Sequence, residues 1–146
     1  MSKIPRAHLV AAAESFAGVS RHADAIYRYY LYDDQRYREI VANHYYGKLA
    51  RTYRYIPTKY HTRIVDVALI EITKPIPPTR AWAWPERERC LCAGISRMTW
   101  RKHGMNTALE WVIRDIIFIA QDVANQVSLQ LATSYKKQIK NKCLTN

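Results

Sequence analysis

Residues 86–103, ERERCLCAGISRMTWRKH, bring together the side chains of this chain best suited to recognising a nucleic acid. A small residue, Cys90, stands four positions before Gly94, an apolar residue, Ile95, follows the glycine, and Ser96 comes next. That order fits two helices joined by a tight turn. The glycine supplies left-handed backbone geometry that a Cβ would penalise, and the Ser96 hydroxyl can cap the helix that follows. In a helix-turn-helix the second helix enters the major groove, and an arginine paired with guanine O6 and N7 is the commonest specific contact. Arg97 and Arg101 lie one turn apart and can face one groove, while Trp100 falls where the helix turns inward. Ser96, Thr99, Lys102 and His103 complete the candidate DNA-binding face, and Arg87, Arg89 and Lys102 suit phosphates better than bases. The competing reading is an ordinary interhelical turn with a solvated basic face.

A second cluster is aromatic. Ten of the eleven tyrosines lie between Tyr27 and Tyr60, interleaved with Arg28, Arg36, Arg38, Arg51 and Arg54. Rings and guanidiniums in this mixture can stack on single-stranded bases. Tyrosines also fill cores with only the phenol tip in water, and that is the expectation for most of them. Tyr53, Arg54 and Tyr55 are the candidates for exposed nucleic-acid or partner contacts.

Metal and enzyme chemistry find little support. Cys90 and Cys92 form a lone Cys-x-Cys, which lacks the paired spacing of zinc modules, and the third cysteine, Cys143, sits near the chain end. The five histidines are dispersed, and no HExxH, phosphate-binding Walker loop or GxSxG occurs. We expect no catalytic residues, no metal and no cofactor.

These residues must be positioned by a protein of 146 residues with 23 Lys and Arg, 12 Asp and Glu, and a net charge of +11. Such a surface attracts polyanions at long range. The excess lies in three stretches, 21–63, 80–105 and 135–146, while 64–79 and 106–134 are slightly acidic and rich in Ile, Val and Leu. An odd number of cysteines without a signal-peptide pattern predicts a cytoplasmic protein, and apolar runs as short as IIFIA argue against a membrane span.

The elements read as helices throughout. Short helices are expected over 6–17, closed by Gly18, and over 20–32. A third spans 34–54, capped by Asp33 or Asp34, with Tyr30, Tyr37, Val41, His44 and Tyr45 recurring at helical intervals. Thr58 is expected to cap a fourth that reaches Thr73. The β-branched run IVDVALIEIT leaves a strand reading open there, but sixteen residues between breakers favour a helix. Residues 75–85, PIPPTRAWAWP, form a stiff connector anchored by Trp82 and Trp84, and helix resumes at Pro85 or Glu86. The stretch 106–133, with Asn106 or Thr107 as cap, carries apolar residues at i, i+3, i+4 and i+7 and should be the spine of the core. The predicted architecture is all-α: a single helical domain over 1–134, a compact bundle containing the helix-turn-helix, followed by a basic, flexible, frayed tail over 135–146. Lys136 and Lys137 in that tail are candidates for sequence-independent phosphate contacts.

The order of features over about residues 26–131 resembles the bacteriophage late-gene antitermination Q proteins, in the branch with a helical body and no zinc-finger cysteine clusters. It is carried by the Tyr-rich helix YRYYLYDDQRYREIVANHYYGKLA, the apolar helix HTRIVDVALIEIT, the turn GISRMTW and the closing helix WRKHGMNTALEWVIRDIIF. The resemblance implies a transcription factor that binds DNA near a late promoter, engages host RNA polymerase and promotes terminator read-through. By position, it places DNA reading on Ser96, Arg97, Thr99, Arg101 and Lys102. The expected partners are double-stranded DNA and bacterial RNA polymerase, with nascent RNA as a further candidate and no membrane. Two other readings stay open: a small basic inhibitor of a host nucleic-acid-processing machine, and a single-stranded RNA binder.

Overall fold

Ser20 opens the described part of the chain, its hydroxyl accepting the Ala23 amide at 3.3 Å and so capping α1, Arg21–Tyr32. The structure, a computed structural model, describes residues 20–74 and 83–144. The expected 6–17 helix and most of the proline-rich connector, Trp82 included, lie outside these residues.

Asp33 ends α1 in the left-handed conformation, φ 50°, which aspartate tolerates better than most residues. Asp34 then caps a single 3-10 turn, Gln35–Tyr37, that runs into α2, Arg38–Thr52. The single helix expected over 34–54 is therefore shorter at both ends. Helix α3, Thr58–Thr73, follows Pro57, and Thr58 is its first helical residue rather than its cap. Beyond the connector come α4, Glu86–Ala93, α5, Arg97–Lys102, and α6, Met105–Leu144. No strand occurs among the described residues, so the fold is all-α.

Helix α6 is the spine. Its 40 residues extend about 60 Å. Helices α1 and α3 both pack on it, and α2 packs on α3 and α1. Ile26, Tyr45, Leu49, Ile64, Leu69, Leu109, Val112 and Ile116 are fully buried where these helices meet. Each such side chain contributes roughly 1.5–3 kcal/mol by leaving water. Lower on α6, Val123, Val127 and Leu131 close a smaller cluster around Tyr27 of α1. Trp84 anchors the end of the connector as expected, buried and donating from Nε1 to the Lys74 carbonyl at 2.8 Å.

The C-terminal expectation is corrected. Helix α6 does not stop at Thr133 but runs to Leu144, with residues 132–140 exposed. The stretch SYKKQIKNKCL contains no proline or glycine, and its Lys and Gln residues are good helix formers, so nothing local ends the helix. Among the described residues no helix is long and apolar enough to cross a membrane.

Candidate nucleic-acid interface

Helices α4 and α5 are joined by Gly94, Ile95 and Ser96. Gly94 takes φ 67°, the Ile95 amide donates to the Cys90 carbonyl at 3.1 Å, and the Gly94 amide donates to Leu91 at 3.3 Å. This pair of bonds is the Schellman arrangement, which satisfies the last carbonyls of α4 and turns the chain sharply. On the far side Ser96 starts α5: its Oγ accepts the Thr99 amide at 3.2 Å and donates to the Thr99 hydroxyl at 3.0 Å. Trp100 is fully buried, as its position one turn into α5 predicts, and its Nε1 donates to Asn106 Oδ1 at 3.4 Å. Gly104, φ 59°, then turns the chain into α6. Asn106 is thus a hub beneath α5 rather than the expected cap of α6.

Arg97 and Arg101 converge on one carboxylate. Both donate from Nε to Glu86 Oε1 in the first turn of α4, at 3.2 and 2.8 Å. Their side chains stay 57% and 65% exposed, so the pairing aligns the guanidiniums without hiding them. Desolvation is the largest single influence on Glu86 and opposes its ionisation, but the hydrogen bonds and charges of Arg97 and Arg101 together outweigh it and hold the carboxyl below its ordinary range. Lys102, Arg87 and Ser96 are exposed at the same end, and Thr99 and His103 are half-buried. The His103 ring lies 5.5 Å from that of Tyr60.

Arg89 is not part of this surface. It was expected at phosphates, but its side chain is 2% exposed and forms a bidentate pair with Glu71, Nε to Oε1 at 2.7 Å and Nη2 to Oε2 at 2.9 Å. Its Nη1 donates to Asn106 Oδ1 at 2.7 Å and to Glu110 Oε1 at 3.4 Å. With the guanidinium's donors committed inside the protein, none can reach a phosphate. Burial works against its charge, yet the hydrogen bonds and charge of Glu71, with Glu110, keep its pKa raised.

The tyrosines divide as the core reading expects. Tyr27, Tyr29 and Tyr45 are buried, and Tyr30, Tyr37, Tyr46, Tyr53 and Tyr60 are partly so. Tyr53 packs edge-on against Trp111 at 6.0 Å, which removes it from the exposed set. Tyr55 is 62% exposed, Arg54 is exposed beside it, and the Tyr55 ring lies against Gly104 at the end of α5. Lys136 and Lys137 are exposed on α6, on a stretch without core contacts.

Sequence reasoning missed Lys59 and Arg63 of α3, and placed Tyr60 only within the aromatic cluster. Arg63 Nη1 donates to the Ala93 carbonyl at 2.8 Å and to Gly94 at 3.5 Å, which fixes the turn to α3. Lys59 and Arg63 are one turn apart, a readable spacing, but their approach to Gly94 is a tertiary contact. The turn separates two clefts of about 350 Å³ each. One is lined by Lys59, Tyr60, Arg63, Ser96 and Thr99, the other by Arg87, Cys90, Leu91, Ile95 and Arg97. Neither has a carboxylate in its lining.

No group of three or more His, Cys, Asp or Glu side chains suited to a metal gathers among the described residues. Burial pushes the Cys90 thiol above its ordinary pKa, so it is a small apolar filler of the α4–α5 contact rather than a reactive thiolate. In comparisons with known proteins, no family model, no curated protein and no solved structure matches the chain.

Proposed function

We propose that this protein is a DNA-binding transcription regulator of the antitermination type, acting by binding rather than catalysis. The observation that carries the reading is the pair Arg97 and Arg101, held side by side by Glu86 on an exposed helix that buried Trp100 fixes to the body. Two guanidiniums one turn apart suit guanine edges in a major groove, and the surrounding Arg87 and Lys102 suit flanking phosphates. Antitermination adds engagement of bacterial RNA polymerase. It rests on the resemblance in the order of helices and on the turn GISRMTW, and it would place the protein in the cytoplasm of a bacterial host.

Selection of a preferred duplex followed by fluorescence anisotropy tests the DNA half. Arg97→Ala or Arg101→Ala should cost roughly 1–3 kcal/mol on the selected site and relax base preference there. Equal binding by variant and parent refutes the assignment. A purified transcription reaction tests the other half, in which read-through of a terminator should rise with added protein. A second reading, single-stranded RNA binding, is favoured by exposed Tyr55 and Arg54. It predicts that Tyr55→Ala weakens RNA binding more than Arg97→Ala does.

A further inference from the structure

We infer that the cleft between the first turn of α3 and the Gly94–Ser96 turn is a phosphate seat, with Lys59 and Arg63 as its cations. It rests on the DNA reading above in one respect: the phosphate would be one of the duplex backbone.

Lys59 and Arg63 are the two cations of the lining, and among the described residues neither makes an ion pair with a carboxylate. The other partners they have are neutral. Lys59 Nζ sits over the Tyr60 ring, 5.0 Å from its centre, and Arg63 spends Nη1 on the Ala93 and Gly94 carbonyls. That bond holds the guanidinium at the rim and leaves Nε and Nη2 for a ligand. Thr99 adds a hydroxyl donor on the opposite wall, the Ser96 proton being given to Thr99 Oγ1. Two cations without a carboxylate partner and one hydroxyl donor, with no acid among them, make a site for a compact oxyanion.

The neighbouring cleft provides the contrast. Its lining of Cys90, Leu91 and Ile95 is largely apolar, and of its two cations Arg97 is already paired with Glu86, which leaves Arg87 alone where the α3 cleft has a pair. The α3 cleft also lies on the other side of the turn that starts α5. A groove-reading helix is registered by backbone contacts on its flanks, and a cation pair contributed by a separate helix supplies one.

Lys59→Gln is the test variant, since Lys59 is exposed and its loss removes no buried contact. Loss of one phosphate contact should lower the slope of log affinity against log salt by about 0.9, which amounts to roughly fivefold weaker duplex binding at about 0.15 M salt. The loss should be equal on the selected site and on unrelated duplex, and Lys59→Arg should restore it. An unchanged slope in Lys59→Gln, with the parent binding duplex, overturns the inference and leaves the DNA reading standing. If the parent binds no duplex, the DNA reading fails instead, and an amide NMR titration with inorganic phosphate decides the cleft. Shifts at Gly94, Ile95 and Thr99 that vanish in Lys59→Gln sustain it. Their absence in the parent overturns it.

Discussion

Replacing Arg89 with methionine should be more damaging to stability than any single change on the candidate surface above it, although Arg89 is buried and not part of that surface. The side chain is 2% exposed and its partner Glu71 is 1% exposed. Removing the guanidinium leaves a buried carboxylate without its counter-charge, which costs about 3–5 kcal/mol. Whole domains are stable by only about 5–15 kcal/mol, so this is a large share. For a chain of this length 1 kcal/mol corresponds to roughly 3 °C, giving a fall in Tm of about 9–15 °C. Urea unfolding followed by circular dichroism measures the same loss as a lower midpoint. The double variant Arg89→Met with Glu71→Met removes both charges, and apolar replacement of a whole buried pair is often neutral. It should recover most of the loss, short of about 1 kcal/mol for the Arg89–Asn106 hydrogen bond, whose loss leaves the Asn106 oxygen with Trp100 alone. Arg87→Ala, at an exposed position two residues away, should move stability by less than about 0.5 kcal/mol. An Arg89→Met protein that melts within about 2 °C of the parent would refute the reasoning, as would a double variant no more stable than the single.

Gly94→Ala should cost about 1–2 kcal/mol, because φ 67° is a left-handed conformation and the new Cβ would lie 3.2 Å from Arg63 Nη1; thermal melting reads it, and an unchanged Tm would count against the turn geometry. Glu86→Gln removes a negative charge from between two exposed arginines, so on the proposed DNA reading non-specific duplex binding should tighten about 2- to 5-fold while discrimination between sites falls. Anisotropy on selected and scrambled duplexes would show both, and unaltered discrimination would mean that Glu86 does not align the pair. His44, stacked on His22 at 4.5 Å, has its pKa lowered below the ordinary 6.5 by burial, then by the charges of His22 and Lys48. The unfolded chain therefore takes up this proton first as pH falls, so the stability is intact above about pH 6.5 and is lost as pH drops through the lower folded value. The fall in Tm between about pH 7.5 and pH 5 should shrink in His44→Phe, and an identical fall in both proteins would exclude His44 as its source.

Local punctuation made much of this fold readable. Pro57, Pro85, Gly94 and Ser96 mark helix ends through backbone chemistry that acts within a few residues, and α3, α4 and α5 begin, and α4 ends, where these residues put them. The apolar period of 106–133 placed the spine for the same reason. Arg89 was misread because ERER looks like a solvated face, and its partner Glu71 lies 18 residues away on α3. Nothing in the local pattern distinguishes an arginine that will meet a buried carboxylate from one that will meet water. Lys59 and Arg63 escaped notice in the same way, since their place beside Gly94 depends on how α3 packs against α4. The full extent of α6 is not legible in apolar periodicity, which fades beyond Leu131, whereas a helix without breakers continues past the body that supports it.

The buried and exposed arginines belong to one chain of contacts. Helix α5 has six residues, about 9 Å, between the left-handed glycines 94 and 104, and is too short to hold its own orientation. Its fixed point is Trp100, whose Nε1 meets Asn106 at 3.4 Å. Asn106 is gripped by Arg89 at 2.7 Å, and Arg89 is gripped by Glu71 on α3. From the other side, Arg63 of α3 holds the end of α4 through the Ala93 carbonyl. Glu86, at the start of that same α4, aligns Arg97 and Arg101. The exposed pair is therefore positioned twice by α3, once beneath α5 and once through α4. A buried ion pair is an expensive way to gain stability, since an apolar pair of the same volume would serve as well. The directional bonds of Arg89, to Glu71 on α3 and to Asn106 and Glu110 on α6, do what an apolar contact cannot, which is to fix the rotation of α4 against both helices and so the direction in which the two surface guanidiniums point.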